Sequence, residues 1–217
     1  MSLKNKRILI TAGPTWVPID NVRVISNIAT GKTGILLAEK LQHIGAKVTL
    51  LLGPIEPCCL NKNIKLIRFK FFTDLKDLII SELGSEQYNI VIHSAAVSDY
   101  RPKTYFRQKI KSGIKQWNLK LVPTPKIIDS IKKLDRSLFL VGFKFEPQSP
   151  KNELINKARI LIRHSQADLV VANTIYSGRY NAYIVSQGKV SDAMHSRNEL
   201  VKTLIRETAN TLCQNSN

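Results

Sequence analysis

Residues 26–34 read Ser-Asn-Ile-Ala-Thr-Gly-Lys-Thr-Gly, and Gly31-Lys32-Thr33 is the second half of a phosphate-binding loop. That loop is G-x-x-x-x-G-K-[ST] between a buried strand and a helix. Ser26 stands where its first glycine belongs, so the motif is absent. A dinucleotide turn is absent as well. There the first strand runs straight into G-x-G-x-x-G and the helix opens at once, whereas here fifteen residues, Trp16 to Thr30, follow ITAGPT before the next helix. The physics of a helix start still applies. Gly31 and Gly34 let an anion approach the backbone, Thr30 offers a cap, and unpaired N–H groups favour a phosphate or carboxylate. The intervening segment would carry Arg23 and Asn27 into the same crevice. A guanidinium and an amide suit an acyl phosphoester: charge for the phosphate, donors for a developing oxyanion.

Two further clusters complete the candidate chemistry. In HSAAVSDYRP, Ala95 and Ala96 leave room for a ligand at the carboxyl end of a strand, the usual binding edge of an open α/β sheet. Asp99 can take a sugar hydroxyl or a magnesium ion, and His93 reads as a packed core histidine. In KIKS, Lys109 and Lys111 can swing over a polyphosphate. No Ser-His-Asp or Cys-His set is present. Cys58, Cys59 and Cys213 lack metal or redox spacing and read as incidental thiols.

These residues need a scaffold, and the apolar patterning predicts one. Strands are expected at Arg7–Thr11, Val48–Leu52, Ile64–Phe69, Ile90–His93, Leu119–Val122, Leu138–Phe143 and Leu169–Ala172. Helices are expected at Lys32–Ile44, Asp74–Leu83, Pro125–Leu134, Glu153–His164 and Arg197–Cys213. Before the last helix, residues 181–194 read as a hairpin turning near Gly188. Short β-branched strands alternating with helices predict a single-domain, Rossmann-like three-layer α/β fold over residues 1–217, its sheet mostly parallel. Residues 99–118 are too long and polar for an ordinary connection and read as a mobile flap. No apolar run is long enough to span a membrane, and RILIT is too short for a signal-peptide core, so a cytoplasmic protein is expected. Lysine and arginine number 33 against 16 acidic residues, a net charge of +17. That balance favours anionic partners. It comes without an RNA-binding motif or an aromatic-interleaved basic stripe, so nucleic acid is not the expected one.

ITAGPTWVPIDNVRVISNIATGKTG, followed by HSAAVSDYRP, KIKS, TPKII, VGFKFE and ADLVVAN, resembles the phosphopantothenate–cysteine ligases of coenzyme A synthesis in order and spacing, from Lys6 to Cys213. The resemblance is to the stand-alone form, and it implies a separate phosphopantothenoylcysteine decarboxylase. It also implies a two-step reaction. CTP, or ATP, activates the carboxylate of 4′-phosphopantothenate as an acyl-nucleotide with Mg2+ present, and the amine of L-cysteine displaces the nucleotide. Residue by residue, it implies that Asn27 holds the acyl-nucleotide, with Arg23 as its companion one helical turn earlier. Lys109 becomes a flap lysine on the triphosphate. Gly13, Ala95, Asp99, Pro125, Lys126, Ile127, Ile128, Phe143 and Lys157 fall to the nucleotide, with Phe143 beside the base and the Pro125–Ile128 segment around it. Gly31, Lys32 and Asn173 fall to the substrate phosphate. A homodimer is the family habit. The chain departs from the fused enzymes at Thr124-Pro125-Lys126, where they have Asn-Pro-Asp. It departs again at Leu161 and Ser165, where they have lysines, and at Thr174, often an aspartate there.

A non-catalytic, basic nucleotide- or nucleic-acid-binding α/β protein is the alternative that the charge suits; it has no need of Asn27 with Lys109. A short-chain dehydrogenase fails on the absent glycine turn and Tyr-x-x-x-Lys pair.

Overall fold

A computed structural model describes residues 3–57 and 60–214; Cys58 and Cys59 fall outside the described residues. The chain runs β1 (Arg7–Ala12), β2 (Trp16–Pro18), β3 (Val24–Ser26), α1 (Lys32–His43), β4 (Lys47–Leu52), β5 (Lys65–Arg68), α2 (Phe72–Ser85) and β6 (Ile90–His93). It continues through β7 (Tyr100–Pro102), β8 (Leu121–Pro123), α3 (Ile128–Leu134), β9 (Phe139–Phe145), α4 (Lys151–Ser165), β10 (Leu169–Tyr176), β11 (Arg179–Val185) and α5 (Arg197–Gln214).

β1 is buried from Ile8 onward on both faces, which places it inside a sheet covered by helices on each side. It pairs in parallel with β4 and β6, Ile10 lying opposite Leu50 and Ile92. The full order is β11-β10-β9-β6-β1-β4-β5, parallel except for β11. Strand alternation then divides the core in two. Ile8, Ile10, Val48, Leu50, Ile92, Val141 and Val171 pack with Leu37, Leu41, Leu200 and Leu204 of α1 and α5. Leu9, Leu51, Val91, Leu140 and Val170 pack with Leu75, Ile79, Ile131, Leu154 and Ala158 of α2, α3 and α4. Each fully buried aliphatic side chain contributes about 1.5–3 kcal/mol, so both layers are held firmly to the sheet. The expected three-layer, mostly parallel fold is the one observed.

Three local expectations are corrected. The strand expected at Leu119–Val122 is β8, which does not join the main sheet; it pairs antiparallel with β7, with Arg101 opposite Val122. Its three residues are exposed or half-buried and cannot serve as a buried central strand. A second ribbon, β2 with β3, puts Arg23 and Asn27 on extended chain rather than one helical turn apart. The principal hairpin turns between β10 and β11 at Ser177 (φ 48) and Gly178 (φ 76). Two consecutive positive φ values suit a tight, right-twisting hairpin, and glycine adopts one freely. The turn at Gly188 also exists, as a shorter return closed by Ser186 N–H on the Lys189 carbonyl (2.9 Å).

Candidate active site

β1 is the point where the connections diverge, with β4 on one side and β6 on the other. A crevice outside the carboxyl ends of the strands at such a point is the usual ligand site of an open α/β sheet. Here α1 is seated against it by glycines. A Cβ on Gly34 would lie 2.5 Å from Ala12 Cβ and 2.7 Å from Ser94 Oγ. One on Gly31, whose φ is +63, would strike Ile55 and approach Gly13 N at 3.2 Å. Gly31 is the N-cap and supplies no side chain, and the first turn holds no acidic residue. Thr30 does not cap the helix as expected. The first-turn N–H groups of α1 therefore face the crevice without a side-chain acceptor, which leaves a positive helix end for an anion.

Opposite this helix end, the β6–β7 connection forms the second wall. Thr11 Oγ1 accepts Ala95 N–H (3.2 Å) and lies 3.0 Å from His93 Nδ1. Thr15 Oγ1 accepts Ser98 N–H (3.0 Å), and Ala96 N–H donates to the Gly13 carbonyl (2.9 Å). Asn27 bridges across the crevice, its amide nitrogen donating to the carbonyls of Ala96 and Val97, both at 3.1 Å. The expectation that this amide points at a substrate oxyanion is thus modified. In this structure it ties the β2–β3 ribbon to the loop, and it reaches an oxyanion only by exchanging a carbonyl partner.

His93 is the core histidine expected, 6 % exposed, and burial alone lowers its pKa from 6.5 to about 4. Because the folded state resists protonation, the unfolded chain takes up this proton first. His93 therefore withdraws stability as pH falls from about 6.5 towards 4. An NMR titration should find its imidazole neutral at pH 5; a midpoint near 6.5 would contradict the burial.

The expected nucleotide residues separate into two groups. Asp99 and Lys126 form an ion pair at the crevice rim, and Thr124 N–H bonds the Asp99 carbonyl (2.9 Å), so the Pro125-Lys126 segment does meet the Asp99 loop. Ile127 and Ile128, however, are core residues beneath α3, 4 % and 7 % exposed, and their side chains are withdrawn from any ligand. Phe143 belongs to the other face of β9, packed on the α1 and α5 side, so it does not sit among residues 125–128. Lys157 is no unengaged cation. It pairs with Glu146 (2.7 Å) and Glu153 (2.8 Å), and Lys144 pairs with the same Glu146 at 2.8 Å. Burial raises the Glu146 carboxyl, but the two lysines outweigh it and hold it below its ordinary value, while both carboxylates raise Lys157. Lys109 is exposed on the flap beside half-buried Ile110. Asn173 lies within β10, opposite Phe145 where the parallel pairing with β9 ends, and its Oδ1 is buried without a hydrogen-bond partner. Such an acceptor fits a hydroxyl or amide N–H, while Nδ2 of the same side chain is the group that could donate to the phosphate expected here.

Asp20 was missed in the sequence reading. Its side chain is fully buried, and Oδ1 accepts Val22 N–H (2.9 Å) and Arg23 N–H (2.8 Å). The signal was Asp-Asn in PIDNVR, an Asx-turn former. Its second oxygen accepts from Arg23 Nη1 (3.2 Å) and, across the chain, from Ile110 N–H (3.2 Å). Arg23 also donates through Nη2 to the Ile110 carbonyl (3.2 Å) and lies over the Trp117 ring at 5.5 Å. The expected companion of Asn27 thus faces the flap.

Residues 3–215 match the DNA/pantothenate metabolism flavoprotein C-terminal domain. The chain belongs to that family. It is 43% identical over 174 residues to the coenzyme A biosynthesis bifunctional protein CoaBC of Thermococcus kodakarensis, covering 80% of this chain and 42% of that one. The CoaBC of Bacillus subtilis is 34% identical over 173 residues, 80% of this chain and 41% of the relative. The chain thus spans under half the length of both. Among solved structures, the DNA/pantothenate metabolism flavoprotein of Streptococcus pneumoniae superposes with a TM-score of 0.84 at 27% identity, over 95% of this chain and 99% of the other. A Cab2 mutant solved with phosphopantothenate-cysteine shares the fold, with a TM-score of 0.73 at 20% identity over 99% and 90% of the two chains.

Proposed function

We propose that this chain is a phosphopantothenate–cysteine ligase. The observation that carries the reading is the meeting of Asn27, the Ala95–Asp99 loop and the open N-terminus of α1 at the β1 switch point. Membership of the family and the identity to CoaBC relatives support it. In the first step a carboxylate oxygen of 4′-phosphopantothenate attacks the α-phosphorus of a nucleoside triphosphate and pyrophosphate leaves. In the second, the cysteine amine attacks the acyl carbon, loses a proton, and the nucleoside monophosphate departs with the bonding pair. Both steps require anions to be held close together and carbonyl charge to be stabilised, and neither requires a nucleophilic side chain.

The α1 N-terminus suits the substrate phosphate, with Lys32 beside it. The orphan Asn173 acceptor suits a hydroxyl or amide N–H of the pantothenoyl arm. Asp99 and Lys126 suit the ribose and phosphates of the nucleotide once their mutual pair opens, and Lys109 suits the triphosphate. Among the described residues no group of three or more acidic, histidine or cysteine side chains could cage a metal, whereas Mg2+ arriving on the triphosphate needs only one protein carboxylate, a part that Asp99 can take. CTP is the nucleotide we favour. Initial rates with the four ribonucleoside triphosphates test that choice, and an ATP rate above the CTP rate would reverse it. The product of this reaction is the substrate of a phosphopantothenoylcysteine decarboxylase. Among the described residues no helix is long and apolar enough to cross a membrane.

The same reading includes a homodimer. Val22 (63 % exposed), Val24, Tyr100 and Leu121 are large apolar residues on two ribbons that stand off the main sheet. The β2 side of the first ribbon is bridged to Phe71 and Phe106, so β3 is the edge that pairing with a second copy would use. Sedimentation should give twice the 24.5 kDa chain mass, and Val22→Glu with Leu121→Glu should give one. A parent protein that sediments as a monomer overturns the dimer.

A further inference from the structure

The flap has anchors that its polar sequence conceals. β7 and β8 pin its base. Phe106 N–H donates to the Ile19 carbonyl (3.0 Å), and the Phe106 and Trp117 rings meet edge to face at 6.3 Å. The decisive contacts fall on Ile110. Its N–H donates to Asp20 Oδ2, and its carbonyl accepts Arg23 Nη2, each at 3.2 Å. Both partners belong to the β2–β3 turn, one strand away from Asn27. The carboxylate is removed from water and fully engaged. Burial pushes its pKa up, but three backbone N–H donors and the Arg23 charge outweigh that and hold it below its ordinary value. A buried carboxylate is retained at such a cost only where its hydrogen bonds are complete.

We propose that Asp20 and Arg23 form a clasp that positions the flap, fixing Ile110 and thereby Lys109 relative to the ribbon that carries Asn27. The proposal rests on the ligase reading for the role of Lys109. It assigns Arg23 to the flap and makes Asp20 a positioning residue that touches no substrate. The flap's motion is then confined to its exposed tip, residues 111–116, with Lys109 held at the edge of the moving part.

Asp20→Asn keeps the shape and sets an amide N–H against the Ile110 N–H. Arg23→Lys keeps the charge, loses the guanidinium fork, and carries the test if Asp20→Asn does not fold. Limited trypsin digestion of the ligand-free protein reads the clasp. Cleavage at Arg107, Lys109 and Lys111 should accelerate at least tenfold in each folded variant, and Arg23→Lys should keep its melting temperature within a few degrees of the parent. Steady-state kinetics read the positioning. The nucleotide KM should rise about as much as it does in Lys109→Gln, with the phosphopantothenate KM within twofold of the parent. Unchanged flap cleavage in the folded variants overturns the proposal, as does a released flap with an unchanged nucleotide KM. A parent protein without ligase activity removes the ligase reading, and the clasp then stands or falls on cleavage alone.

Discussion

Asn27→Asp is expected to lower the rate of product formation by a hundredfold or more. The amide nitrogen of Asn27 holds two carbonyls, Ala96 and Val97, at 3.1 Å. An aspartate would set an anionic oxygen against both, breaking the bridge between the ribbon and the β6–β7 loop. It would also bring negative charge to the place proposed for the acyl-nucleotide phosphate. Losing one donor at an oxyanion site costs on the order of 2.7–4 kcal/mol, and the added repulsion acts in the same direction. The second half-reaction should suffer more than the first, so mass spectrometry of quenched reactions should find acyl-nucleotide accumulating. Asn27→Ala separates the two causes, since it loses the bridge without adding charge. Product formation by Asn27→Asp at the parent rate would remove Asn27 from the mechanism.

The second large effect is expected at Gly34→Ala, where two opposing contributions must be weighed. Alanine in a helix is favoured over glycine by at most about 1 kcal/mol, and less in the first turn. Against this, the new methyl would sit 2.5 Å from Ala12 Cβ and 2.7 Å from Ser94 Oγ. Ala12 is fully buried on the central strand and Ser94 Oγ is bonded to the Thr11 carbonyl at 2.6 Å, so neither can yield cheaply. Overpacking of this kind costs about 1–3 kcal/mol and wins. For a chain of this size the melting temperature should fall by roughly 2–8 °C. The relief is a displacement of α1 from the sheet, which moves the anion-binding end. Displacements near 1 Å can cost about a hundredfold in rate, so kcat/KM for phosphopantothenate should fall at least tenfold. A variant as stable as the parent would show that the helix is not seated on that contact.

These effects differ in how far they could be read from residues alone. The expected strands at Arg7–Thr11, Val48–Leu52 and Ile90–His93 come within one residue of β1, β4 and β6, because a strand buried on both faces leaves an uninterrupted apolar run. The ribbons leave no such mark. With three residues apiece and partial exposure, their pairing is decided by what surrounds them. Lys157 illustrates a local limit: Glu153, four residues earlier on α4, is a legible helical pair, but Glu146 lies on another element. Motif membership alone puts Phe143 and the Pro125–Ile128 segment around one nucleotide base, and says nothing of which face of the sheet each occupies. Alternation along β9 puts Phe143 on the face of Val141, against α1 and α5, while Ile127 and Ile128 fill the opposite layer. The clasp joins Asp20 to Ile110, 90 positions apart, and no local pattern reports a contact of that span.

The central claim is tested most directly by incubating the protein with 4′-phosphopantothenate, L-cysteine and a magnesium nucleoside triphosphate, and following pyrophosphate and product together. The account predicts phosphopantothenoylcysteine and pyrophosphate in equal amounts, with acyl-nucleotide alone when cysteine is omitted. Absence of both product and acyl-nucleotide with all four ribonucleoside triphosphates would contradict it.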